Sequence, residues 1–331
     1  LPAQSIYYFS KPMPPPMLAI TQKSPAKINL FLHITGKRVD GYHNLQTVFR
    51  LIDLYDTLTF TVMDKAIGSH LPIQLVSDNP VTEQPTDNLI VKAATALLAF
   101  AKNNALFTQA QIAQLPLIDI HLDKKIPMGA GLGGGSSNGA TTLMMLNTLW
   151  QLGLNKKQLC QIGASLGADV PIFIFGQDAI AEGIGEILTP ITLPSQQFLL
   201  LKPDAHINTA ALFQHPNLQR NCTHFDHTRL SQQRQDFCDI LSPAFSNVFE
   251  PVVEALAPSV ATALTYLKSL STLTGTTPRL TGSGSCVFLP LPLTGSRHVP
   301  ADMLSTWQHQ APAPSYIVKT LARGSPDRQI F

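Results

Sequence analysis

Residues 126–138 constrain the fold of this chain more strongly than any other stretch. Five glycines occupy seven positions of it, and two serines follow at once: Gly129, Gly131, Gly133, Gly134, Gly135, Ser136 and Ser137. Because glycine has no Cβ, the backbone N–H groups of such a loop can turn toward one point. An apolar, helix-prone run begins at Ala140, and a helix N-terminus adds the positive end of its dipole. The stretch therefore predicts an anion site, with phosphate as the expected anion.

Two common phosphate loops do not fit this stretch. The P-loop needs a lysine directly after its last glycine, and no lysine occurs between Lys125 and Lys156. The dinucleotide pattern GxGxxG is met, but it should follow a strand directly and have an acidic residue about 20 positions later. Here residues 124–128 separate the predicted strand from the first glycine, and no Asp or Glu occurs between Asp123 and Asp169. Neither of these two nucleotide-binding folds is therefore predicted.

A third pattern does fit the stretch. It reads Pro-x-x-x-Gly-Leu-Gly-x-x-Ser-Ser and is met by Pro127, Gly131, Leu132, Gly133, Ser136 and Ser137. This pattern resembles the second motif of the GHMP kinases. A flexible glycine linker is the alternative interpretation, but linkers rarely lie between a well-formed strand and a well-formed helix. We therefore expect a phosphate loop of the GHMP type.

The composition excludes several classes of function. A chain of 331 residues is long enough for two domains, each with its own core. Apolar residues make up 44% and charged residues 13%, which is typical of a compact globular protein. A net charge of +2 without a long basic run offers no electrostatic footprint for a nucleic acid or a membrane surface. The four cysteines lack metal-ligand spacing, so we expect free thiols in a reducing cytoplasm.

The first residues carry no predicted chemistry. Five prolines within residues 1–16 argue against a signal helix. No apolar run approaches the ~18 residues of a transmembrane helix. We expect residues 1–22 to form a mobile tail and the protein to be cytoplasmic.

Hydrophobic periodicity predicts the strands and helices. The expected strands cover residues 26–34, 45–54, 57–62, 117–122, 170–175, 198–201, 279–281 and 286–289. One expected helix follows the glycine loop, and the others cover 89–102, 156–166, 209–213, 247–256 and 260–270. Asp87 is the expected N-cap of the helix over 89–102.

Antiparallel strands followed by helices on one face predict an α+β fold in both halves of the chain. We expect an N-terminal domain over 23–180 and a C-terminal domain over 181–331, with the last residues packing back on the first domain. Polar residues crowd the stretch 215–243, which predicts a surface insertion. The stretch 290–313, which contains several prolines, is a second extra segment.

Two charged residues stand out from apolar surroundings. Lys27 lies inside a predicted strand. A buried ammonium there needs an anion as its partner, and the alternative is a lysine side chain that snorkels to water. Asp169 lies between a predicted helix and an apolar stretch, where an ordinary turn or N-cap aspartate is an equal alternative. Together the two residues predict a lysine–aspartate pair near the phosphate loop.

Several segments together resemble one family, the 4-diphosphocytidyl-2-C-methyl-D-erythritol kinases of the GHMP superfamily, which belong to the non-mevalonate isoprenoid route. The resemblance extends from Ser24 to about Arg323. It is carried by residues 25–32, 34–43, 45–49, 87–90, 126–138, 166–171, 181–186 and 280–288. The glycine loop alone indicates the superfamily, whereas residues 40–43 and 167–171 narrow the resemblance to this family.

The resemblance implies the two-domain GHMP kinase architecture. The N-terminal nucleotide domain would be like domain 2 of ribosomal protein S5, the C-terminal domain would be ferredoxin-like, and the site would lie in the cleft between them. The resemblance also implies ATP and Mg²⁺ as cofactors and the 2-hydroxyl of 4-diphosphocytidyl-2-C-methyl-D-erythritol as the acceptor. Asp169 would be the catalytic base that accepts the hydroxyl proton, with Lys27 as its partner.

For the nucleotide, the resemblance implies contacts from the whole loop. These residues are Pro127, Met128, Gly129, Ala130, Gly131, Leu132, Gly133, Gly134, Gly135, Ser136 and Ser137. Lys124 and Asn88 are also expected beside the nucleotide. Ser137 is expected to contact Mg²⁺, which bridges the β- and γ-phosphates.

For the acceptor, the resemblance implies an aromatic clamp around the cytosine. The residues expected on this side are Asn29, Tyr42, His43, Phe49, Thr209 and Phe213. Stacking between Tyr42 and Phe213, with hydrogen bonds from His43 to the ring edge, is a common way to bind a pyrimidine. Without the resemblance, His43 would be interpreted as a surface-loop histidine.

Two other functions compete with this hypothesis. A GHMP kinase for homoserine, mevalonate or a sugar would have no use for a cytosine clamp. A regulatory nucleotide-binding module would need the loop but not Lys27 and Asp169. The expected partners are therefore small molecules and neither a nucleic acid nor a membrane, and the expected assembly is a monomer or a homodimer.

Overall fold

The computed structural model describes residues 18–63, 71–77, 82, 84–292 and 298–321. These residues form two sheets with helices packed on them, so the predicted α+β class is confirmed. The strands are β1 (Leu18–Lys37), β2 (His43–Met63), β3 (Ile73–Ser77), β4 (Leu117–Asp123), β5 (Ala179–Glu182), β6 (Ile187–Pro190), β7 (Gln197–Leu201), β8 (Arg279–Leu280), β9 (Val287–Leu291) and β10 (Ser315–Lys319). The α-helices are α1 (Leu89–Asn103), α2 (Gln109–Ile112), α3 (Gly134–Leu149), α4 (Lys156–Leu166), α5 (Val170–Phe175), α6 (Thr209–Gln214), α7 (His227–Gln232), α8 (Glu250–Leu256), α9 (Pro258–Thr274) and α10 (Ala301–Gln310). Two 3₁₀ turns cover Pro85–Asp87 and Arg234–Asp236.

The first sheet is built around a long hairpin of β1 and β2. Its strand order is β3-β4-β2-β5-β6, and β1 pairs with β2 beside this path. The two strands are antiparallel, and their register shifts at three places. One of these shifts lies between Asn29 and Leu32. Such bulges re-aim side chains without ending the strand. The two strands predicted over 45–54 and 57–62 are therefore parts of one strand, β2.

The second sheet has the strand order β10-β7-β9-β8, and all of its neighbours are antiparallel. Helices α6 to α9 connect β7 to β8, and α10 connects β9 to β10. This is the β-α-β-β-α-β arrangement of ferredoxin-like folds, as expected. The first sheet continues through β5 and β6, so the domain boundary predicted at residue 180 falls inside a strand of the first sheet and is too early.

Within the described residues, three apolar cores hold the two sheets and their helices together. The first lies between the first sheet and helices α1, α3, α4 and α5, and the second lies between the second sheet and helices α8, α9 and α10. The third lies between the two sheets and contains Ile28 and Phe31 of β1, Phe198 of β7 and Phe288 of β9. Because β1 contributes to this shared core, its opposite face is held at a fixed position beside the cleft.

Residues 170–175, predicted as a strand, form helix α5 instead. A short apolar run cannot be assigned to a strand or a helix by periodicity alone. Pro171 lies in the first turn, and Gly176 follows the last residue with φ 74°. Proline near a helix start and left-handed glycine after a helix end are typical helix boundaries. The helix places Asp169 at its N-terminus.

The stretch 215–243, predicted as a surface insertion, contributes to the shared core. Phe225, Leu230 and Phe237 are at most 3% exposed. The ring centroid of Phe237 lies 5.5 Å from that of Phe31. The polar composition concealed these apolar residues because they are spaced widely along the segment. The segment is therefore part of the fold that joins the two sheets.

The predictions for the N-terminal part need two corrections. Residues 18–22, expected within a mobile tail, are the start of β1 and pair with residues 58–62 of β2, whereas 1–17 lie outside the described residues. The N-cap of α1 is Asn88 and not Asp87, because Asn88 Oδ1 accepts a hydrogen bond from Ile90 N at 3.0 Å.

The chain returns to the first sheet near its C-terminus. Leu321 N donates to Leu51 O at 3.0 Å. The segment 290–313 includes the end of β9 and all of α10, and its residues 293–297 lie outside the described part. Residues 322–331, which were expected to pack back on the first domain, also lie outside it.

We expect Phe237→Ala to lower the free energy of unfolding by about 3–5 kcal/mol, because it opens a cavity in the shared core. The measurement is urea denaturation followed by circular dichroism. Gln232→Ala, an exposed position in the same segment, should change this free energy by about 0.5 kcal/mol or less. Equal effects of the two substitutions would show that the segment is a surface insertion after all.

Candidate functional site

Two cavities meet at the glycine loop. The larger, of about 960 Å³, lies between the β1–β2 hairpin, α6 and the turn that joins β8 to β9, and Asp169 lines it. The smaller, of about 380 Å³, lies on the other side of the loop. Gly131, Gly133 and Ser136 line both cavities. A group bound in one cavity can therefore reach a group bound in the other along this edge of the loop.

The loop approaches its neighbours so closely that two of its glycines have no room for a side chain. Gly131 has φ 74°, and a Cβ there would overlap the carbonyl oxygen of Thr281. Gly133 has φ 72°, and a Cβ there would lie 2.8 Å from the Phe173 ring. Gly133 is also the N-cap of α3. As predicted, the loop leads directly into a helix N-terminus, where backbone N–H groups are available to an anion.

Backbone hydrogen bonds fasten the loop on two sides. Lys27 N on β1 donates to Leu132 O at 2.9 Å, and Cys286 N donates to Ala130 O at 3.2 Å. Lys27 belongs to the first sheet, whereas Cys286 directly precedes β9 of the second. The loop is thus held between the two halves of the molecule.

The structure brings Lys27 and Asp169 together. Lys27 Nζ lies 3.1 Å from Asp169 Oδ2, and the two side chains are 3% and 35% exposed. Lys27 therefore does not snorkel to water. Although Asp169 occupies the N-cap position of α5, its side chain makes no capping hydrogen bond. The structure thus favours the lysine–aspartate pair over a lysine that reaches water and over an aspartate that only caps a helix.

Lys27 is enclosed by two further predicted site residues. Its Nζ donates to Asn29 Oδ1 at 2.8 Å and lies 5.1 Å from the ring centroid of Phe49. A cation over an aromatic face is attracted by the ring quadrupole. Both side chains line the larger cavity. The ammonium group is therefore compensated by a carboxylate, an amide oxygen and a ring.

The two serines of the loop have different surroundings. Ser137 is fully buried, and its Oγ accepts a hydrogen bond from Ser24 Oγ at 2.7 Å. Ser136 lines both cavities. The serine that lines the cavities is thus Ser136, one position before the serine expected to contact a metal ion.

Lys124 and Asn88 line the smaller cavity, as does most of the loop. The Lys124 ammonium lies 2.8 Å from Asp56 Oδ2 and donates to Ile126 O at 2.5 Å. Asp56 Oδ1 also accepts from the N–H groups of Lys125 and Ile126, both at 2.8 Å. This cluster shapes the entrance to the glycine loop. The Asn88 side chain caps α1, as described above.

The far end of the larger cavity is aromatic. The rings of His43 and Phe213 are stacked, with centroids 5.2 Å apart and an angle of 15°. Phe249 meets Phe213 edge-on at 5.0 Å, and Tyr42 is 61% exposed beside them. One face of Phe213 is thus covered by His43, and the Tyr42 side chain is largely exposed.

His43 is held neutral at this end. Burial lowers the pKa of the His43 imidazole below its usual value, and the positive charges of Arg220 and Lys37 lower it further. Within the described part of the chain, His43 Nε2 has no hydrogen-bond partner. A neutral imidazole offers one donor and one acceptor. It can therefore contact either kind of group on a ligand edge.

Two cations at this end were not predicted from the sequence. Lys37 and Arg220 both line the larger cavity, and among the described residues neither forms an ion pair with a carboxylate. Arg220 also donates to the carbonyl oxygens of Phe213 and His215, both at 2.8 Å. It therefore fixes the C-terminal end of α6, which carries Phe213, while no carboxylate of the described residues compensates its charge.

Thr47 and Thr281 were also missed. Thr281 Oγ1 accepts a hydrogen bond from Asn29 N at 3.0 Å, and Thr47 Oγ1 accepts one from Asn29 Nδ2 at 2.9 Å. Thr47 could have been found from the strand period of two, because it precedes the predicted residue Phe49 by two positions. Thr209, which was predicted, joins α6 to Ser283 through a hydroxyl contact of 2.7 Å.

Among the residues that the structure describes, no group of three or more His, Cys, Asp or Glu side chains could hold a metal ion. Within the same residues, no helix has the length and hydropathy needed to cross a membrane.

The family described as GHMP kinases N terminal domain matches residues 88–177 of the chain. Curated proteins named 4-diphosphocytidyl-2-C-methyl-D-erythritol kinase match almost the whole chain. The protein of that name from Psychrobacter cryohalolentis is 51% identical over 323 residues, which are 91% of this chain and 97% of the relative. The one from Acinetobacter baylyi is 44% identical over 90% of this chain and 94% of the relative.

Solved structures agree with this result. A crystal structure of 4-(cytidine 5'-diphospho)-2C-methyl-D-erythritol kinase is 25% identical, with a TM-score of 0.69 over 92% of this chain and 100% of that one. The mevalonate kinase of Methanococcus jannaschii is 14% identical, with a TM-score of 0.61 over 93% of this chain and 100% of that one. At this low identity the second match concerns the fold alone, which is the two-domain GHMP kinase fold.

We expect Gly131→Ala to destabilise the protein more than Gly153→Ala does. Both glycines have positive φ, at 74° and 68°. A side chain at such an angle costs about 1–2 kcal/mol. A Cβ at Gly153 meets nothing within 4 Å, whereas one at Gly131 overlaps Thr281. Urea denaturation of both variants measures the difference, and equal free energies of unfolding would contradict the close approach of loop and turn.

Proposed function

Because this chain belongs to the 4-diphosphocytidyl-2-C-methyl-D-erythritol kinases, a family of GHMP kinases, we propose that its reaction is the one their name describes. It is an ATP-dependent kinase that phosphorylates the 2-hydroxyl of 4-diphosphocytidyl-2-C-methyl-D-erythritol. The products are the 2-phosphate and ADP. The reaction belongs to the methylerythritol phosphate pathway, which leads to isopentenyl diphosphate and the terpenoids.

One observation carries the assignment of catalytic residues. The Lys27–Asp169 pair lines the larger cavity, next to the loop edge where the two cavities meet. Phosphoryl transfer depends mainly on positioning and charge stabilisation, with a base to accept the hydroxyl proton. The proposed base is Asp169. Its Oδ2 is engaged by Lys27, which leaves Oδ1 to accept the proton of the acceptor hydroxyl.

Lys27 has two proposed tasks. Its ammonium group holds the Asp169 carboxylate in place through the contact of 3.1 Å with Oδ2. It also stabilises the negative charge that develops on the acceptor oxygen. Burial strengthens both effects, because Lys27 is only 3% exposed and electrostatic interactions are less screened away from water.

The smaller cavity is the proposed ATP site. The glycine loop lines it with backbone N–H groups at the N-terminus of α3, which is the chemistry that binds phosphates. Residues 127–137 would hold the triphosphate, with Lys124 and Asn88 beside the nucleotide. The γ-phosphate would lie at the edge shared by the two cavities. There the acceptor hydroxyl can reach it from the other side.

Mg²⁺ is the proposed metal cofactor, brought in with ATP. It prefers oxygen ligands and usually keeps several waters, with few protein ligands beside the phosphates. The donor set fits this requirement, because the hydroxyl-bearing residue Ser136 lines both cavities. Ser136 would hold the ion, whereas Ser137, which was expected in this role, is fully buried and hydrogen-bonded to Ser24. Bound at Ser136, the ion would neutralise charge on the β- and γ-phosphates.

The aromatic end of the larger cavity is the proposed cytidine site. Tyr42 and Phe213 would stack on the base, and neutral His43 would bind its edge. Because His43 covers one face of Phe213, a base stacked on that face requires the imidazole to move to the ring edge. Lys37 and Arg220 would attract the diphosphate, since they are cationic and lack carboxylate partners in the described residues. Homoserine or mevalonate has no group that would use this aromatic and cationic end.

The remaining proposals concern the setting of the reaction. The chain would act as a monomer or a homodimer in the cytoplasm, on diffusible small molecules and without a nucleic acid. The small net charge of +2 supports the last point.

We expect Asp169→Asn to reduce kcat with the cytidyl acceptor by about 10²- to 10⁴-fold, since an amide cannot accept the hydroxyl proton. The KM for ATP should stay within about threefold of wild type, because the substitution removes a transition-state role and not a nucleotide contact. A coupled assay of ADP release measures both constants, with homoserine and mevalonate as control acceptors. Asp204→Asn, an exposed aspartate far along the chain, is the matched variant and should behave as wild type. Wild-type turnover in Asp169→Asn would remove this residue from the role of base.

We expect Lys37→Gln to raise the KM for the cytidyl acceptor by about 2- to 5-fold, because an exposed charge contributes modestly to binding. The pKa of His43 should rise at the same time, since one of the positive charges that lower it is removed. NMR titration of the imidazole measures this shift, and steady-state kinetics measure KM. Lys157→Gln, at an exposed lysine of α4, is the control. An unchanged His43 titration in Lys37→Gln would show that the lysine does not act at this end of the cavity.

A further inference from the structure

A buried chain of hydrogen bonds runs from the Lys27 ammonium into the first sheet. Lys27 Nζ donates to Asn29 Oδ1 at 2.8 Å, and Asn29 Nδ2 donates to Thr47 Oγ1 at 2.9 Å. Thr47 Oγ1 in turn donates to Phe31 O at 2.5 Å. The three side chains belong to residues that are at most 3% exposed. The three side chains are therefore almost fully withdrawn from solvent, although all three residues line the larger cavity.

These hydrogen bonds can run in only one direction, from Lys27 toward Phe31. The Thr47 hydroxyl has a single proton, which is committed to Phe31 O, so toward Asn29 its oxygen can only accept. Asn29 must then present its NH₂ group to Thr47 and its carbonyl oxygen to Lys27. A flipped amide would place two acceptors against each other at Thr47 and two donors against each other at Lys27. The threonine hydroxyl thus determines which end of the Asn29 amide faces the ammonium.

The strand bulge explains why the Thr47 proton is committed. Between Asn29 and Leu32 the register of β1 shifts against β2, so that residues 30 and 31 face only one partner residue. A bulge leaves a backbone group without its ladder partner. The Phe31 carbonyl is buried and takes the Thr47 hydroxyl as its donor, as a buried carbonyl requires some donor.

The Asn29 backbone is held independently of Thr47. Asn29 N donates to Thr281 Oγ1 at 3.0 Å, on the turn that precedes β9. Loss of the Thr47 hydroxyl would therefore free the torsion of the Asn29 amide while its main chain stays in place. This separates the orientation of the amide from the position of the strand.

We propose that Thr47 is a positioning residue for phosphoryl transfer, which acts through Asn29 to hold the Lys27 ammonium against Asp169. The inference rests on the proposed function, because it takes Lys27 and Asp169 as the catalytic pair. Thr47 itself touches neither Lys27 nor Asp169 through a hydrogen bond. Its contribution is the direction of the hydrogen-bond chain.

The test compares Thr47→Val with Thr47→Ser. Valine has nearly the shape of threonine without the hydroxyl, whereas serine keeps the hydroxyl and loses a methyl group. We expect Thr47→Val to lower kcat with the cytidyl acceptor by about 10- to 100-fold, the effect of misplacing a catalytic group slightly. The KM for ATP should stay within about threefold, and Thr47→Ser should keep kcat within about threefold of wild type.

A matched control separates positioning from a general loss of stability. Thr276 is also buried, and its Oγ1 donates to Pro290 O at 2.6 Å in the second sheet. Thr276→Val also removes a hydrogen bond from a threonine hydroxyl to a backbone carbonyl. Thr276 is not among the residues that line the larger cavity. Thr276→Val should lower the free energy of unfolding as Thr47→Val does and leave kcat unchanged. A loss of kcat in both valine variants would overturn the inference.

A double-mutant cycle with Asn29→Ala provides the decisive readout. If Thr47 acts through the Asn29 amide, Thr47→Val should change kcat by less than about twofold once Asn29 is alanine. Multiplicative losses, a wild-type kcat in Thr47→Val, or a serine variant as slow as the valine variant would each overturn the inference.

The same experiment distinguishes failure of the inference from failure of the proposed function. An active wild type with an unaffected Thr47→Val leaves the function standing and removes the role of Thr47. A wild type that transfers no phosphoryl group to the cytidyl acceptor contradicts the proposed function. In that case the cycle is measured on the free energy of unfolding, and additive effects of Thr47→Val and Asn29→Ala would overturn the hydrogen-bond chain itself.

Discussion

The rest of the site depends on the contact between the Lys27 ammonium and the Asp169 carboxylate. An ammonium that is 3% exposed is costly to desolvate, so Lys27 depends on the Asp169 carboxylate, which is itself 35% exposed. Lys27 lies on the central hairpin of the first sheet, and Asp169 lies at the N-terminus of α5. The pair therefore persists only if the strand and the helix keep their separation. The apolar core around α3, α4 and α5 supplies that rigidity.

Near this pair, hydrogen bonds from main-chain N–H groups connect the two halves of the molecule. The glycine loop is bonded to β1 at Leu132 and to the second half at Ala130. Asn29, next to the ammonium, is bonded through its own N–H group to Thr281. The turn after β8 thus touches both the phosphate loop and the strand that carries Lys27. A movement of one half against the other would change the geometry of all three elements together.

The sequence predicted those parts of the site that are local. The glycine loop and its helix could be found because the residues that shape an anion site are consecutive. Lys27 and Asp169 stood out by their apolar surroundings, which predicted the pair, whereas their roles as partner and base followed from the resemblance to a family. Helix α5 was mistaken for a strand because six apolar residues fit both structures. The buried role of Phe237 was hidden because its partners, Phe31 and Phe245, are set by tertiary packing and not by periodicity.

The residues at the glycine loop and those at the aromatic end of the larger cavity come from different segments of the chain. The segment that matches the GHMP kinase family, residues 88–177, contains the glycine loop, Lys124 and Asp169. The aromatic and cationic residues of the larger cavity, from Lys37 to His43 and from Phe213 to Arg220, lie outside that segment. Changes in the hairpin turn or in helix α6 would thus alter the larger cavity and leave the segment that matches the GHMP kinase family unchanged. Specificity for the acceptor can therefore vary without disturbing the loop, because the two sets of residues meet only at Gly131, Gly133 and Ser136.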